Sequence, residues 1–102
     1  MAIRVMETGA LQDFAAGGSR MIPLAEAGHG RALLLNLDAG GSVAPCQMSA
    51  TVLYFGIAGR GHLHVGDEQA ELRDGSLAVV PAGAVRQIMA DERMRVLAVQ
   101  IP

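Results

Sequence analysis

The chain has 102 residues, of which 51% are hydrophobic, and its formal net charge at pH 7 is −2. A chain of this length forms one domain around one core, and so high a hydrophobic fraction excludes a disordered chain. The slightly acidic balance argues against a nucleic-acid-binding protein, because such proteins need a basic stripe that neutralises phosphates.

The same composition predicts a cytoplasmic protein without a membrane anchor. No apolar run reaches the roughly 20 residues that are needed to cross a bilayer. Residues 1–5 lack the charged and apolar regions of a signal peptide. The single cysteine, Cys46, cannot form an internal disulfide, which fits a reducing compartment.

Glycine and proline divide the chain into short apolar runs. The pattern is weak near the N-terminus, where a short turn of helix is predicted over residues 11–16. Further along, strands are predicted over residues 31–37, 51–58, 62–65, 77–80 and 95–101. Gly66 and Asp67 predict a tight hairpin after the third of these runs. Many short strands without a sustained helical repeat predict an all-β sandwich or barrel.

Two spaced sets of residues carry the most specific signal in the chain. The first set is Gly40, Cys46, Met48, Val52 and Gly59, and the second is Gly75, Pro81, Gly83, Arg86 and Ala90. Both spacings resemble the two conserved motifs of the cupin family of small β-barrels. The resemblance implies an all-β cupin jelly roll made by a single domain, residues 1–102. In it, residues 1–30 form an N-terminal arm and the first strands, and residues 31–102 form the barrel that carries both motifs.

The chain departs from the family at the metal site. The cupin positions that match Cys46, Met48, Val52 and Arg86 are normally His, His, Glu and His, and they bind one metal ion. Here they hold a thiol, a thioether, an isopropyl group and a guanidinium. Val52 has no ligand atom, and Arg86 has a permanent positive charge and no lone pair. The sequence therefore predicts a cupin without the family's metal and without another cofactor.

Two pairs of residues keep the spacing of metal ligands. Cys46 and Met48 are two residues apart and share the strand face that the family turns inward. Such sulfur ligands can hold Cu(I), but buried Cys and Met also serve as adaptable apolar filling, and the sequence favours that interpretation. His62 and His64 share the face opposite to the apolar residues of their strand. They fit the protein surface or a subunit contact better than a displaced metal site.

Arg86, Tyr54 and Gln100 are polar candidates for a ligand site inside the barrel. The family alignment points Arg86 into the cup, where a bound anion, an internal partner or escape of its head group to solvent would offset the cost of burying it. The Tyr54 hydroxyl either reaches the cavity or lies at the rim of the core. Of the three glutamines Gln47, Gln87 and Gln100, only Gln100 is expected to share the cup with Arg86, if the last strand alternates inward. The residues predicted to line the cup are Cys46, Met48, Val52, Tyr54, Arg86 and Gln100.

These observations favour a metal-free cupin that binds or senses a small molecule of anionic character, with neither nucleic acid nor a membrane as a partner. One alternative is an enzyme related to cupin isomerases or oxygenases, with no metal or with an atypical one. Another is a structural or interaction barrel whose interior is filled. The sequence favours a binding role over catalysis. The resemblance also implies a homodimer, because small members of the family commonly dimerise.

Overall fold

The computed structural model describes residues 3–102, and within that range the chain is almost entirely β-structure. A 3-10 turn at Thr8–Ala10 precedes nine strands. The strands are β1 (Ser19–Ala27), β2 (Gly30–Leu37), β3 (Ser42–Gln47), β4 (Thr51–Ala58), β5 (Arg60–Val65), β6 (Glu68–Arg73), β7 (Leu77–Val80), β8 (Val85–Ala90) and β9 (Met94–Ile101). The predicted runs from residue 31 onward are thus confirmed as strands, and a tight turn at residues 66–67 joins β5 to β6.

The strands form two antiparallel sheets that pack face to face. The first sheet has the order β1-β2-β9-β4-β7, and the second has the order β3-β8-β5-β6. The chain leaves the first sheet after β2 and returns to it for β4, β7 and β9, while β3, the β5–β6 hairpin and β8 belong to the second sheet. Two layers connected in this way form the jelly roll that the sequence predicted. No helix within residues 3–102 is long and apolar enough to cross a membrane.

The core lies between the sheets and follows the two-residue alternation of the strands. The first sheet contributes alternate residues of β2 and β9, which are Leu33, Leu35, Leu37, Met94, Val96 and Ala98. The second sheet contributes Leu63, Leu72, Ile88 and Ala90. Tyr54 is the one aromatic residue of this buried cluster. Aliphatic side chains therefore fill most of the barrel, and little room is left between the layers.

The N-terminal arm is where the secondary-structure prediction is wrong, because residues 11–16 contain no helical turn. Long-range contacts hold this segment instead. Asn36 Nδ2 donates hydrogen bonds to the carbonyls of Leu11 and Asp13 at 2.8 and 3.0 Å. The buried Arg95 side chain donates to the carbonyls of Thr8 and Leu11. These side chains satisfy backbone groups that a helix would have satisfied internally.

Asp38 connects the end of the arm to the barrel and gives this connection a pH dependence. Its carboxylate accepts hydrogen bonds from the Gly17 N–H at 2.8 Å and from Arg93 Nε at 3.2 Å. The Gly17 N–H first, and then Arg93, lower the pKa of Asp38 below its ordinary value of 3.8. Because the folded-state pKa is the lower one, the stabilisation is present above about pH 4 and disappears as the pH falls through the folded-state value.

We therefore expect Asp38→Asn to reduce the free energy of unfolding at pH 7 and to have a smaller effect at pH 3. Urea unfolding at the two pH values measures the difference. Asp67→Asn, in the exposed turn between β5 and β6, is the matched control and should change little. An Asp38→Asn effect of equal size at pH 7 and pH 3 would contradict the assignment to the ionised carboxylate.

Candidate functional site

A small cavity lies between the two sheets, and all six residues that were predicted to line the cup surround it. These are Cys46, Met48, Val52, Tyr54, Arg86 and Gln100. The cavity measures about 50 Å³, which is comparable to one or two water molecules at roughly 30 Å³ each in the liquid. The sequence thus identified residues that meet in space, and their part in binding a ligand remains a prediction.

Strand pairing explains why these residues converge. In β8, Arg86 lies opposite Cys46 of β3 and Val65 of β5. In the facing sheet, Val52 of β4 lies opposite Gln100 of β9. Because successive residues of a strand point to opposite sides, each of these strands places alternate side chains in the space between the layers.

Arg86 points into the barrel and does not reach solvent, since only 2% of its surface is exposed. Its Nε donates to the carbonyl of Ala84 at 3.0 Å, its Nη1 to the Tyr54 hydroxyl at 3.3 Å, and its Nη2 to the carbonyl of Pro81 at 3.3 Å. All three partners are neutral, and no Asp or Glu among residues 3–102 forms an ion pair with Arg86. A guanidinium has five N–H groups, so two of them have no protein acceptor here.

Tyr54 extends the polar end of the cavity beside Arg86. Burial raises the pKa of its hydroxyl above the ordinary value of 10.0, while the neighbouring Arg86 acts in the opposite direction. The phenol is therefore neutral at physiological pH. Because its oxygen accepts a hydrogen bond from Arg86, its own O–H remains able to donate to another acceptor.

Seven residues beyond the predicted six also line the cavity: five are apolar, Leu33, Leu35, Val43, Ile88 and Ala98, and the other two are Met21 and Gln87. Met21 of β1 brings a third sulfur atom to the cavity beside Cys46 and Met48, and the weak pattern near the N-terminus gave no signal for it. Gln87 also lines the cavity, although alternation from Arg86 places it on the outer side of β8. The prediction that only Gln100 among the glutamines would share the cup is wrong.

The structure gives little support to a metal site at either of the two residue pairs with ligand-like spacing. Within the described part of the chain, no group of three or more His, Cys, Asp or Glu side chains is placed to hold a metal ion. A soft-metal site at Cys46 and Met48 remains an untested alternative to their role as apolar filling. The rings of His62 and His64 lie outside the cup with their centroids 6.5 Å apart. His62 Nδ1 lies 2.9 Å from a carboxylate oxygen of Asp91, so this ring already has a partner.

Two antiparallel layers in this strand order, closed around a small cup, make this a protein with the cupin fold. No protein-family model and no curated protein matches the chain. Among solved structures it is similar to the protein TT1209 from Thermus thermophilus, with a TM-score of 0.89, 21% identity and 98% of both chains covered. At these levels of identity such a similarity establishes the fold alone.

Two further structures agree with this conclusion. A conserved protein with a double-stranded β-helix domain from Klebsiella pneumoniae matches with a TM-score of 0.88 and 17% identity, over 99% of this chain and 91% of that one. A cupin superfamily protein from Desulfitobacterium hafniense matches with a TM-score of 0.77 and 20% identity, over 81% of this chain and 76% of that one. The resemblance read from the two motifs is thereby confirmed as a resemblance of fold.

Proposed function

We propose that this protein is a metal-free cupin that binds a small anion, such as a short carboxylate, in its cup. The buried positive charge of Arg86 is the observation that carries the proposal. A buried charge is costly unless a group of opposite charge and enough hydrogen bonds compensate it. The three neutral partners of Arg86 supply hydrogen bonds without negative charge, and a bound anion would supply the charge.

The polar end of the cavity offers a suitable set of donors. Arg86 has two free N–H groups, and the neutral Tyr54 hydroxyl can add a third donor. Hydrogen bonds from a guanidinium to a carboxylate are charge-assisted and are stronger than those between neutral groups. The small volume limits the enclosed part of a ligand to a few non-hydrogen atoms. A longer tail would leave the cup past Met21, which lines the cavity and is itself exposed.

The small volume also supports the alternative of a structural barrel with a filled interior. In that case the three hydrogen bonds to protein acceptors are enough to keep Arg86 buried, although two of its N–H groups have no protein acceptor, and nothing needs to enter the cup. The catalytic alternative receives less support, because the raised pKa of Tyr54 makes it a poor general base near neutral pH. The two remaining possibilities differ in whether Arg86 holds an anion.

Arg86→Met tests the proposal. Removing one charge-assisted hydrogen-bonding group costs about 1.5–3 kcal/mol, so the Kd for the anion should rise roughly 10-fold to 150-fold. Binding is measured by calorimetry with formate, acetate, lactate and phosphate, after native mass spectrometry of the fresh protein for a co-purified anion. The variant should still fold, because the Pro81 carbonyl keeps its hydrogen bond from the Ala84 N–H.

Arg20→Met is the matched control, since Arg20 lies on β1 with an exposed side chain. It removes the same charge from the protein surface and should leave anion binding unchanged. If the fresh wild-type protein carries no anion and binds none of the four probes, the filled structural barrel is the better account. If Arg86→Met binds as tightly as the wild type, Arg86 is not the anchor.

A further inference from the structure

Arg31, in β2, carries a positive charge for which the protein supplies no partner. Its Nε is buried and has no hydrogen-bond acceptor. Within residues 3–102, its side chain forms no ion pair and donates no hydrogen bond. Nearly all buried donors in folded proteins have an acceptor, so an exception needs an explanation. The unsatisfied guanidinium indicates that Arg31 has a partner from outside the chain.

Strand register places Arg31 next to the cup. Alternation puts it on the same side of β2 as Leu33 and Leu35, both of which line the cup. Its cross-strand partner on β9 is Gln100, which lines the cup as well. Arg31 and Gln100 also line a second concavity, with a volume of about 410 Å³. Gln100 therefore lies at the boundary between the cup and the concavity beside Arg31.

Arg86 and Arg31 both lack a negative partner within the described part of the chain. Arg86 donates only to neutral groups. Glu26 of β1 lies opposite Arg31 in the strand register, but it forms no ion pair with Arg31 and is exposed, so water screens its charge. His29, which also lines the concavity, is exposed as well. The two cations therefore favour a ligand with two negative charges over a ligand with one.

We propose that the anion in the cup is a short dicarboxylate, with one carboxylate at Arg86 and Tyr54 and the other at Arg31. The first carboxylate occupies the anion site proposed above, so this inference rests on that function. Hydrogen bonds from a guanidinium to a carboxylate are charge-assisted and strong. Because Nε of Arg31 is covered, the terminal Nη groups contact the second carboxylate, and a rotation of the guanidinium lets Nε join in a bidentate contact.

The two spaces together fit a molecule of this kind. The cup, at about 50 Å³, encloses only the first few non-hydrogen atoms of a ligand. The concavity beside Arg31, at about 410 Å³, falls within the roughly 300–1,000 Å³ of typical small-molecule sites. The Gln100 amide lines both spaces and can donate to either carboxylate. An apolar tail would still leave the cup past Met21, whereas a second acidic group is attracted toward Arg31.

Arg31→Met tests the assignment through the selectivity that it removes. Malonate, succinate, glutarate and adipate are titrated by calorimetry, each against the monocarboxylate with the same number of carbon atoms. We expect at least one dicarboxylate to bind the wild type about 10-fold more tightly than its monocarboxylate. This is the lower end for a charge-assisted hydrogen bond, because Arg31 is only partly buried. In Arg31→Met the two acids should bind about equally, and acetate should keep its wild-type Kd.

Arg20→Met is the matched control, because it removes the same charge from an exposed position on β1. It should keep the wild-type preference for the dicarboxylate. Arg31→Met should remain folded, since the Arg31 side chain donates no hydrogen bond within residues 3–102 that the variant would lose. Circular dichroism and urea unfolding check this before the titrations.

The arginine Nε–H resonances of the wild type locate each carboxylate without depending on a variant's stability. In isotopically labelled protein, the preferred dicarboxylate should shift the Nε–H resonances of both Arg31 and Arg86. Acetate should shift the resonance of Arg86 and leave that of Arg31 in place. Spectra of Arg31→Met and Arg86→Met assign the two signals.

These measurements separate the dicarboxylate from the anion-binding function on which it rests. If neither acetate nor any dicarboxylate binds the wild type, both proposals fail. If acetate binds but no dicarboxylate binds more tightly, or if the preference survives in Arg31→Met, the cup binds an anion without Arg31, and only the dicarboxylate is overturned. A dicarboxylate that binds and leaves the Arg31 resonance unmoved overturns it in the same way.

Discussion

Gly59→Ala is expected to lower the free energy of unfolding by about 3–5 kcal/mol, which combines a disfavoured backbone conformation with overpacking. Gly59 connects β4 of one sheet to β5 of the other, and its φ is 79°. A Cβ at this position would lie 2.0 Å from the carbonyl oxygen of Arg93 and 2.6 Å from the Cα of Met94. Both are backbone atoms at the start of β9, so the overlap cannot be relieved by a rotamer change. Domains of this kind have about 5–15 kcal/mol in total, so the variant should be strongly destabilised.

Gly75→Ala separates the two causes. Gly75 has nearly the same φ, 85°, but a Cβ there would meet no atom within 4 Å. It should therefore lose only the backbone contribution, about 1–2 kcal/mol. Urea unfolding of both variants, followed by circular dichroism at pH 7, gives the comparison. Equal losses in the free energy of unfolding for the two variants would mean that the close approach of Arg93 to Gly59 does not contribute to the effect of Gly59→Ala.

The same two glycines show why most of the fold could be predicted from the sequence. Each marks a point at which the chain turns, and a short apolar run lies directly beside each, β4 before Gly59 and β7 soon after Gly75. The bounds predicted for β4 and β7 agree with the structure at both ends. The N-terminal arm has no comparable sequence pattern from which its conformation could be predicted. The partners of its Leu11 carbonyl, Asn36 and Arg95, are 25 and 84 residues away, and a local pattern carries no information about contacts at that distance.

The residues that line the cavity could be predicted from the sequence about as well as the strands of the fold. Motif spacing and strand alternation predicted that Cys46, Val52 and Arg86 line one cavity. Both patterns could do so because they depend only on the strand face that each residue occupies. The way in which the Arg86 guanidinium is satisfied was not predictable, since two of its three acceptors are backbone carbonyls that leave no trace in residue identity. The position of Met21 depends on the register of β1 with β2, which contains an irregularity after Pro23. The cavity volume depends on side-chain packing as a whole.

Arg95→Met is expected to lower the free energy of unfolding by about 2–3 kcal/mol and to release the N-terminal arm. Arg95 is 7% exposed and donates to Asn36 Oδ1 at 3.3 Å and to the carbonyls of Thr8 and Leu11. Methionine fills a similar volume without any of these hydrogen bonds, so the acceptors lose their partner in a buried position. Each unsatisfied buried acceptor costs about 1–3 kcal/mol, and release of the arm would let water reach some of them, which limits the total.

Arg93→Met is the matched comparison, because Arg93 lies two residues away and also contacts the arm. Its guanidinium stacks on the Phe14 ring at 4.1 Å and pairs with Asp38, but its side chain is largely exposed. Exposed pairs contribute about 0–1 kcal/mol, so this variant should lose less than Arg95→Met. Hydrogen exchange and limited proteolysis report the arm directly, and only Arg95→Met should expose residues 8–16. Unchanged exchange there in Arg95→Met would mean that Asn36 holds the arm without help from the buried cation.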